Sequence, residues 1–377
     1  MRKKIHIFIF AVLAVSIFAC KTKSSDNVLQ PLPVQLQGAT KNAMEVLEND
    51  PQFSTLAAAV KQYGLEAELR RFPARFTIFA PNNQAFSAVN LGALPDSAVR
   101  NILRYHIFLT ESFRFSNQFT SGANETNAAL PNNLVWVNVP RLGQVFINGT
   151  PVLRADIPAT NAVIHEIGTV LLPPTKTMYQ IIAETPQLSR FRNAANLTTD
   201  LTVPNQNPTT LRQILKSTRF IGTVAAGSST STVFGGINAT VFVPTDAAFA
   251  ALTGPGTPIT DSVSLRNYII TNFGSLTAPA WNNIMFHHIS TAAGRIFSGG
   301  LLSGPLPSLV ASRPMNLSIS SSGNPRINQR TIIGSTVQTS DPIGTANNFN
   351  NAQIVTTDII ATNGVIHLID RVLRPEN

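Results

Sequence analysis

Two stretches of the chain share one pattern of polar and apolar positions. In the second, a polar turn (Ala361-Thr362-Asn363-Gly364) leads into the run Val365-Ile366-His367-Leu368-Ile369 and on to Val372-Leu373-Arg374-Pro375. In the first, Asp156-Ile157-Pro158-Ala159-Thr160-Asn161-Ala162 leads into Val163-Ile164-His165-Glu166-Ile167 and ends at Leu172-Pro173. A self-match of this length marks an internal duplication. The run is short and β-branched, which predicts a strand rather than a helix. Alternation puts Val365, His367 and Ile369 on one face and Ile366 and Leu368 on the other. Both faces are apolar, so the strand is expected to be covered on both sides. Glu166 stands where the second copy has Leu368, so that face is expected to be wetter in the first copy. The closing prolines cannot donate to a ladder and are expected to end the strands.

The same reading extends outward. Leu56, Ala59, Val60 and Tyr63 fall at helical spacing after Asp50-Pro51, predicting a helix pair with a proline start. Thr77 to Ala80 reads as a buried strand stopped by Pro81, with a helix capped by Asn82 or Asn83 behind it. Leu94-Pro95-Asp96 opens a helix whose Val99, Ile102, Leu103 and His106 follow an i, i+3, i+4, i+7 pattern. Val135 to Val139 and Val145 to Ile147 predict two strands, the second ending in an Asn148-Gly149 turn. The second half echoes these blocks in order: Tyr179 to Leu188, Thr240 to Phe249 with Thr245 as cap, and Phe286-His287-His288-Ile289 against Arg104-Tyr105-His106-Ile107. The offset between copies grows from 135 residues at Pro51/Pro186 to 202 at Asp156/Asp358. The second half therefore carries insertions, at roughly 195–236, 253–283 and 335–351. Two of them are rich in Gly, Ser, Thr and Asn (Gly227 to Ser231, Thr345 to Asn351), which fits either disorder or ligand-contacting loops.

Composition narrows the class. At 377 residues two domains are expected. The apolar fraction of 44% is ordinary, whereas the charged fraction of 12% is about half the usual share. The formal charge is +9. Without Arg2, Lys3 and Lys4 it is 25 basic against 19 acidic side chains, an excess of six. That excess is spread thinly, with no basic stripe and no nucleic-acid module, which argues against nucleic-acid partners. The single cysteine, Cys20, rules out an intramolecular disulfide and a Cys-based zinc site.

The position of Cys20 suggests another role. A basic start, Met1 to Lys4, precedes an apolar run from Ile5 to Ala19, which reads as a secretion signal. Ile17-Phe18-Ala19-Cys20 resembles the bacterial lipobox, which implies cleavage before Cys20 and lipid attachment to it. Lys21, rather than Asp, follows the cysteine, which favours the outer membrane under the enteric sorting rule. Residues 1–19 are thus read as a signal peptide and 20–39 as a lipidated cysteine with a polar, flexible tether. Twenty flexible residues reach roughly 25 Å.

Three motif blocks carry a more specific likeness. Thr77-Ile78-Phe79-Ala80-Pro81-Asn82-Asn83-Gln84-Ala85-Phe86, then Tyr105-His106, then Asn161-Ala162-Val163-Ile164-His165 before Val170-Leu171-Leu172-Pro173 resemble a fasciclin domain in order and spacing. The resemblance covers nearly all of 40–377, as one domain over 40–174 and a second, with insertions, over 175–377. It implies an α+β fold: two tandem domains, each a mixed β-wedge or sandwich flanked by short helices. It also implies an extracellular or surface-attached protein associated with adhesion and matrix contact.

The family positions are Tyr105, His106, Asp156, Asn161 and His165 in the first half, and His288, Asp358, Asn363, Gly364 and His367 in the second. His287 replaces the tyrosine, and Ala162 replaces the glycine; if that position needs a positive φ, Ala162 is strained. His165 and His367 lie mid-strand and read as core histidines. Asp156-Ile157 and Asp358-Ile359 match a dipeptide that animal relatives use in integrin contact, but here they read as turn and core residues. Asp370-Arg371 is a candidate ion pair that the first copy lacks. Asp96-Ser97-Ala98 and Asp261-Ser262-Val263 resemble an O-glycosylation acceptor pattern and serve equally as helix caps, the favoured reading.

No nucleophile elbow, zincin helix or phosphate loop is present. No carboxylate or cysteine partners stand at metal-ligand spacing from the histidines. Neither a cofactor nor a metal is expected. The reading is a non-catalytic, lipid-anchored envelope protein, expected at the outer membrane and exposed at the surface. It would bind a polysaccharide or a matrix or surface protein. A periplasm-facing accessory lipoprotein is the alternative, and a hydrolase with an interdomain site a remote one.

Overall fold

The computed structural model describes residues 36–109, 113–120, 124–126, 134–141, 143–197, 211–216, 220–221, 233–234, 239–253, 258–274, 279–290, 294–301, 304–310, 315–319, 330–333 and 351–373. The first half opens with helices α1 (Ala43–Asn49), α2 (Ser54–Gln62) and α3 (Glu66–Arg70). Strand β1 (Phe76–Pro81), α4 (Asn83–Phe86), α5 (Asp96–Arg104), β2 (Ile107–Leu109) and β3 (Asn124–Thr126) follow. Then come β4 (Leu134–Arg141), β5 (Gln144–Ile147), β6 (Thr150–Ala159) and β7 (Ala162–Ile167). The second half has α6 (Met178–Glu184), α7 (Ser189–Leu197), α8 (Leu211–Lys216) and a small hairpin, β8 (Phe220–Ile221) with β9 (Val233–Phe234). Its sheet and remaining helices are β10 (Ala239–Pro244), α9 (Asp246–Ala250), α10 (Ser262–Phe273), α11 (Pro279–His287), β11 (Ile289–Ser290), β12 (Gly304–Leu306), β13 (Met315–Ile319), β14 (Arg330–Ile333), β15 (Asn351–Ala361) and β16 (Gly364–Ile369).

Each half builds a seven-stranded sheet of one topology. The orders are β2-β1-β7-β6-β5-β4-β3 and β11-β10-β16-β15-β14-β13-β12. The repeated run is a central strand in both, parallel to β1 or β10 and antiparallel to β6 or β15. Every residue of β7 and β16 is buried, as two-sided apolarity requires. Ile164 and Ile366 face the cores built with the helices, whereas Ile167 and Ile369 face separate cores over the rest of the sheet. Both strands end at the isoleucine, well before the prolines. Pro173 therefore follows the turn that leaves the sheet and does not stop the strand, and Pro375 lies outside the described residues.

Glu166 departs from expectation. It is buried, at 8% exposure, because Asn82 Nδ2 donates to it at 3.0 Å and Arg154 Nε at 3.0 Å. Paired in this way, a carboxylate can occupy the place of Leu368 without opening that face to water.

The caps follow sequence closely. Asn42 and Glu45 form a capping box on α1, Thr177 and Gln180 one on α6, and Asp261 and Ser264 one on α10. Asn82 caps α4 through Ala85 N–H, and Thr245 caps α9 through Ala248 N–H. Asn83 instead accepts from Thr55 N–H and donates to Pro51 O, tying α4 to α2. Asp96 is not a cap: Pro95 takes that position, and Asp96 lies in the first turn. Asp370 accepts from Gln353 N–H at 2.7 Å and makes no ion pair with Arg371 among the described contacts. The insertion around 253–283 contributes α10. The Gly227 to Ser231 stretch and residues 345–350 fall outside the described residues, as does Cys20. Among the described residues, no helix is long and apolar enough to cross a membrane.

The two halves meet along a packed seam. Trp136 of β4 clusters with Phe297 and Val365. The Arg295 guanidinium lies over the Trp136 ring at 5.2 Å and donates to Thr362 O at 2.7 Å. A Cβ on Gly299 would run into Phe146, and one on Gly300 would lie 2.8 Å from Asn138 Nδ2. Arg295 is buried, and the loss of water pulls its pKa down to about 10.

Candidate functional site

The shared polar residues converge on the same construction in each half. Strand β6 carries a register shift between Arg154 and Ile157, and β15 one between Thr356 and Ile359. Within these bulges Asp156 and Asp358 take left-handed φ values of 58° and 61°. A short polar side chain that bonds locally tolerates that conformation better than most. Asp156 Oδ1 accepts from Ser116 N–H at 2.7 Å, and Oδ2 from Ser116 Oγ–H at 2.5 Å. Asp358 Oδ1 accepts from Ser298 N–H at 2.6 Å, and its Oδ2 from Ser298 Oγ–H.

The histidine of the repeated run completes the cluster. Asp156 N–H donates to His165 Nδ1 at 3.3 Å, and His165 Nε2 lies 2.9 Å from Arg114 O. His367 repeats this with Asp358 N–H at 3.3 Å and Ile296 O at 2.8 Å. One nitrogen accepts and the other donates, so the neutral tautomer protonated at Nε2 satisfies both. The rings stack on Phe79 and Phe242, each at 5.4 Å between centroids. Burial pushes the pKa of His165 down.

His106 and His288 act at the end of the helix before β2 or β11. Their Nδ1 atoms lie 2.8 Å from Ile102 O and Ile284 O, and their Nε2 atoms accept Leu171 N–H at 2.8 Å and Leu373 N–H at 2.9 Å. Both rings are buried, and lost hydration lowers their pKa values to about 4 and about 3. The neighbouring His287 bonds Ser308 Oγ at 3.1 Å, away from its partner, so the pair forms no chelate. Asn161 Oδ1 accepts from Ala43 N–H, and its Nδ2 donates to Leu69 O and Arg71 O. Asn363 does likewise with Met178 N–H and Leu215 O. Each asparagine thus ties the first helix of its half to the turn before the central strand. Tyr105 is buried and accepts from Asn148 Nδ2 at 3.1 Å; Asn148 in turn accepts Trp136 N–H at 2.9 Å.

Gly364 is not needed for a positive φ, since it is absent from the left-handed positions. It is needed for space: a Cβ there would lie 2.5 Å from Ala239 O and 2.6 Å from Met178 Sδ. Ala162 is accordingly unstrained in φ, and the left-handed residue of each repeated stretch is the aspartate in the bulge. Gly364→Ala is expected to destabilise the second half by about 2 kcal/mol through overpacking. Ala162→Gly should cost the first half about 1 kcal/mol or less. Denaturant unfolding that resolves the two halves checks both.

Serine, aspartate and histidine thus meet twice, but not as a nucleophile with its base. A serine nucleophile needs its hydroxyl on a basic group that is itself oriented. Here the hydroxyls bond the aspartates, and both nitrogens of each imidazole are taken by backbone groups. Among the described residues, no group of three or more His, Cys, Asp or Glu side chains is placed to hold a metal ion. Ser116 and Ser298 were not singled out from sequence. Their signal is the matched pair Phe115-Ser116 and Phe297-Ser298, at the same 182-residue offset as His106 and His288.

This construction, a bulged strand clamped beside a parallel central pair in each of two matched sheets, agrees with what sequence comparison finds. Residues 51–173 and 206–375 match the fasciclin domain, and the chain belongs to that family. It is 39% identical over 136 residues to the transforming growth factor-beta-induced protein ig-h3 of Sus scrofa, covering 35% of this chain and 19% of that protein. It is 31% identical over 153 residues to stabilin-1 of Mus musculus, covering 38% of this chain but 6% of that protein. Protein sll1483 of Synechocystis is 35% identical over 148 residues, or 37% of this chain and 78% of that one. The match thus spans less than a fifth of either animal protein. Among solved structures, a FAS1 domain pair from the insect cell adhesion molecule Fasciclin I is similar over 88% of this chain and 95% of that one. Its identity is 18% and its TM-score 0.34.

Proposed function

We propose that the protein is a lipid-anchored component of the cell envelope that works as a non-catalytic adhesion module. It would bind matrix, polysaccharide or other surface partners through its exposed faces. The observation behind this reading is that the family's polar residues are taken up by internal hydrogen bonds. Asp156, Asn161, His106 and His165, and their counterparts in the second half, complete internal hydrogen bonds. Recognition is therefore left to the surface. Family membership supports a binding role, and the lipobox-like Ile17-Phe18-Ala19-Cys20 supports the anchor.

A fragment covering 27–377 tests the binding part, screened against polysaccharides, matrix proteins and anionic lipid vesicles at low and at physiological salt. Retention of one ligand class at physiological salt is the expected result. Binding that disappears with salt would report only the excess of basic side chains, and no binding at all would sink the adhesion role.

A further inference from the structure

The seam between the halves has a counterpart at the other end of the first half. On the second half, the seat is made by Phe297 and Val365, with Arg295 beside them, and the side chain lodged in it is Trp136 from the first half. On the first half, Phe115 and Val163 hold the matching positions, at the offsets of 182 and 202 residues that relate His106 to His288 and Asp156 to Asp358. Phe113 stands where the second half has Arg295. Among the described residues, the chain fills this seat with a residue of its own. Leu36 packs there with Phe113, Phe115 and Val163, and it is fully buried.

The backbone shows why Leu36 is available. Thr160 N–H donates to Lys41 O, and Thr362 N–H donates to Lys176 O, both at 2.9 Å, so the two halves are entered in the same way. Counting back the same distance from Lys41 and Lys176 reaches Leu36 and Leu171. Leu171 closes the first half, packed in its core with its N–H on His106. Leu36 instead packs against Phe113, Phe115 and Val163 of the half that follows it. Its carbonyl accepts Ala39 N–H at 3.0 Å in a turn that contains Gly38 at a φ of 100°, and its side chain lies in the seat.

We propose that Leu36 is a plug, a piece of the tether that closes the domain-docking seat of the first half as Trp136 closes that of the second. Unplugged, Phe113, Phe115 and Val163 would form an exposed apolar patch of the kind that drives association. The expected flexible tether is correspondingly shorter, because Leu36 is held against the domain.

Hydrogen exchange on the full-length chain tests this, comparing the unsubstituted protein with Leu36→Ala and Leu36→Glu. Leu36→Met, which keeps an apolar side chain of similar size, is the control. Peptides covering 113–119 and 159–165 should exchange at least tenfold faster in the Ala and Glu variants and unchanged in the Met variant. Peptides from β1 and from 294–300 should keep their rates. Unchanged exchange at 113–119 would overturn the plug. So would an acceleration spread evenly over β1 and α1, which would make Leu36 an ordinary part of the core.

Discussion

Acidification from pH 7 to pH 5 is expected to remove roughly 2 kcal/mol of stability for each of His106 and His288. Burial holds their folded pKa values at about 4 and about 3, below the ordinary 6.5. The unfolded chain therefore binds protons that the folded chain refuses. The stability from each neutral ring is complete above pH 6.5 and is lost as the pH falls towards the folded value. His165 shifts in the same direction, by burial, and adds to the loss. The chemistry behind the penalty is specific: Nε2 of each ring accepts a buried backbone N–H, and a protonated imidazole has no lone pair to offer it. Thermal unfolding measured between pH 7.5 and 5, above the range where most carboxylates titrate, reads the slope directly. His288→Gln should unfold at lower temperature at pH 7 but with a shallower pH dependence. An unchanged slope in that variant would show that His288 is not the group responsible.

Asn161→Ala should destabilise the first half by about 3 kcal/mol or more. The side chain is 1% exposed and completes three backbone groups: the N–H of Ala43 and the carbonyls of Leu69 and Arg71. Each buried group left without a partner costs about 1–3 kcal/mol. The loss should appear in denaturant unfolding of the first half alone, while the second half, held by Asn363, keeps its midpoint. Asn161→Asp retains an acceptor for Ala43 N–H but loses both donors, so it should recover little of the loss. A change below 1 kcal/mol for Asn161→Ala would mean that water replaces the side chain and that the tie is dispensable.

Much of this architecture is legible in the sequence. The repeat defined by Asp156 to Pro173 and Asp358 to Pro375 announced two related domains. The alternation in Val365 to Ile369 announced a strand covered on both faces, and the Asn148-Gly149 turn and the Asn82 and Thr245 caps stand where their chemistry puts them. These features are local. Side-chain direction alternates along a strand, and a cap bonds a backbone group three residues away, so a short window contains both the cause and the result.

What the window does not contain is the partner across the fold. Glu166 reads as a wet position until Arg154 and Asn82 are brought beside it. Gly364 reads as a turn glycine until Ala239 O is found where a Cβ would go, and within the repeated stretches the left-handed residues prove to be Asp156 and Asp358. Ser116 and Ser298 have meaning only once a loop is laid against a bulge 40 or 60 residues away. Leu36 reads as tether until the seat that Trp136 fills in the other domain shows what an unfilled one would expose. Sequence by itself determined the duplication, the family and the central strand with its neighbouring caps, because these depend on near neighbours and repeated spacing. The tertiary structure alone decided which polar groups are satisfied and which surfaces are closed, because burial and hydrogen bonding between distant segments depend on the packed whole.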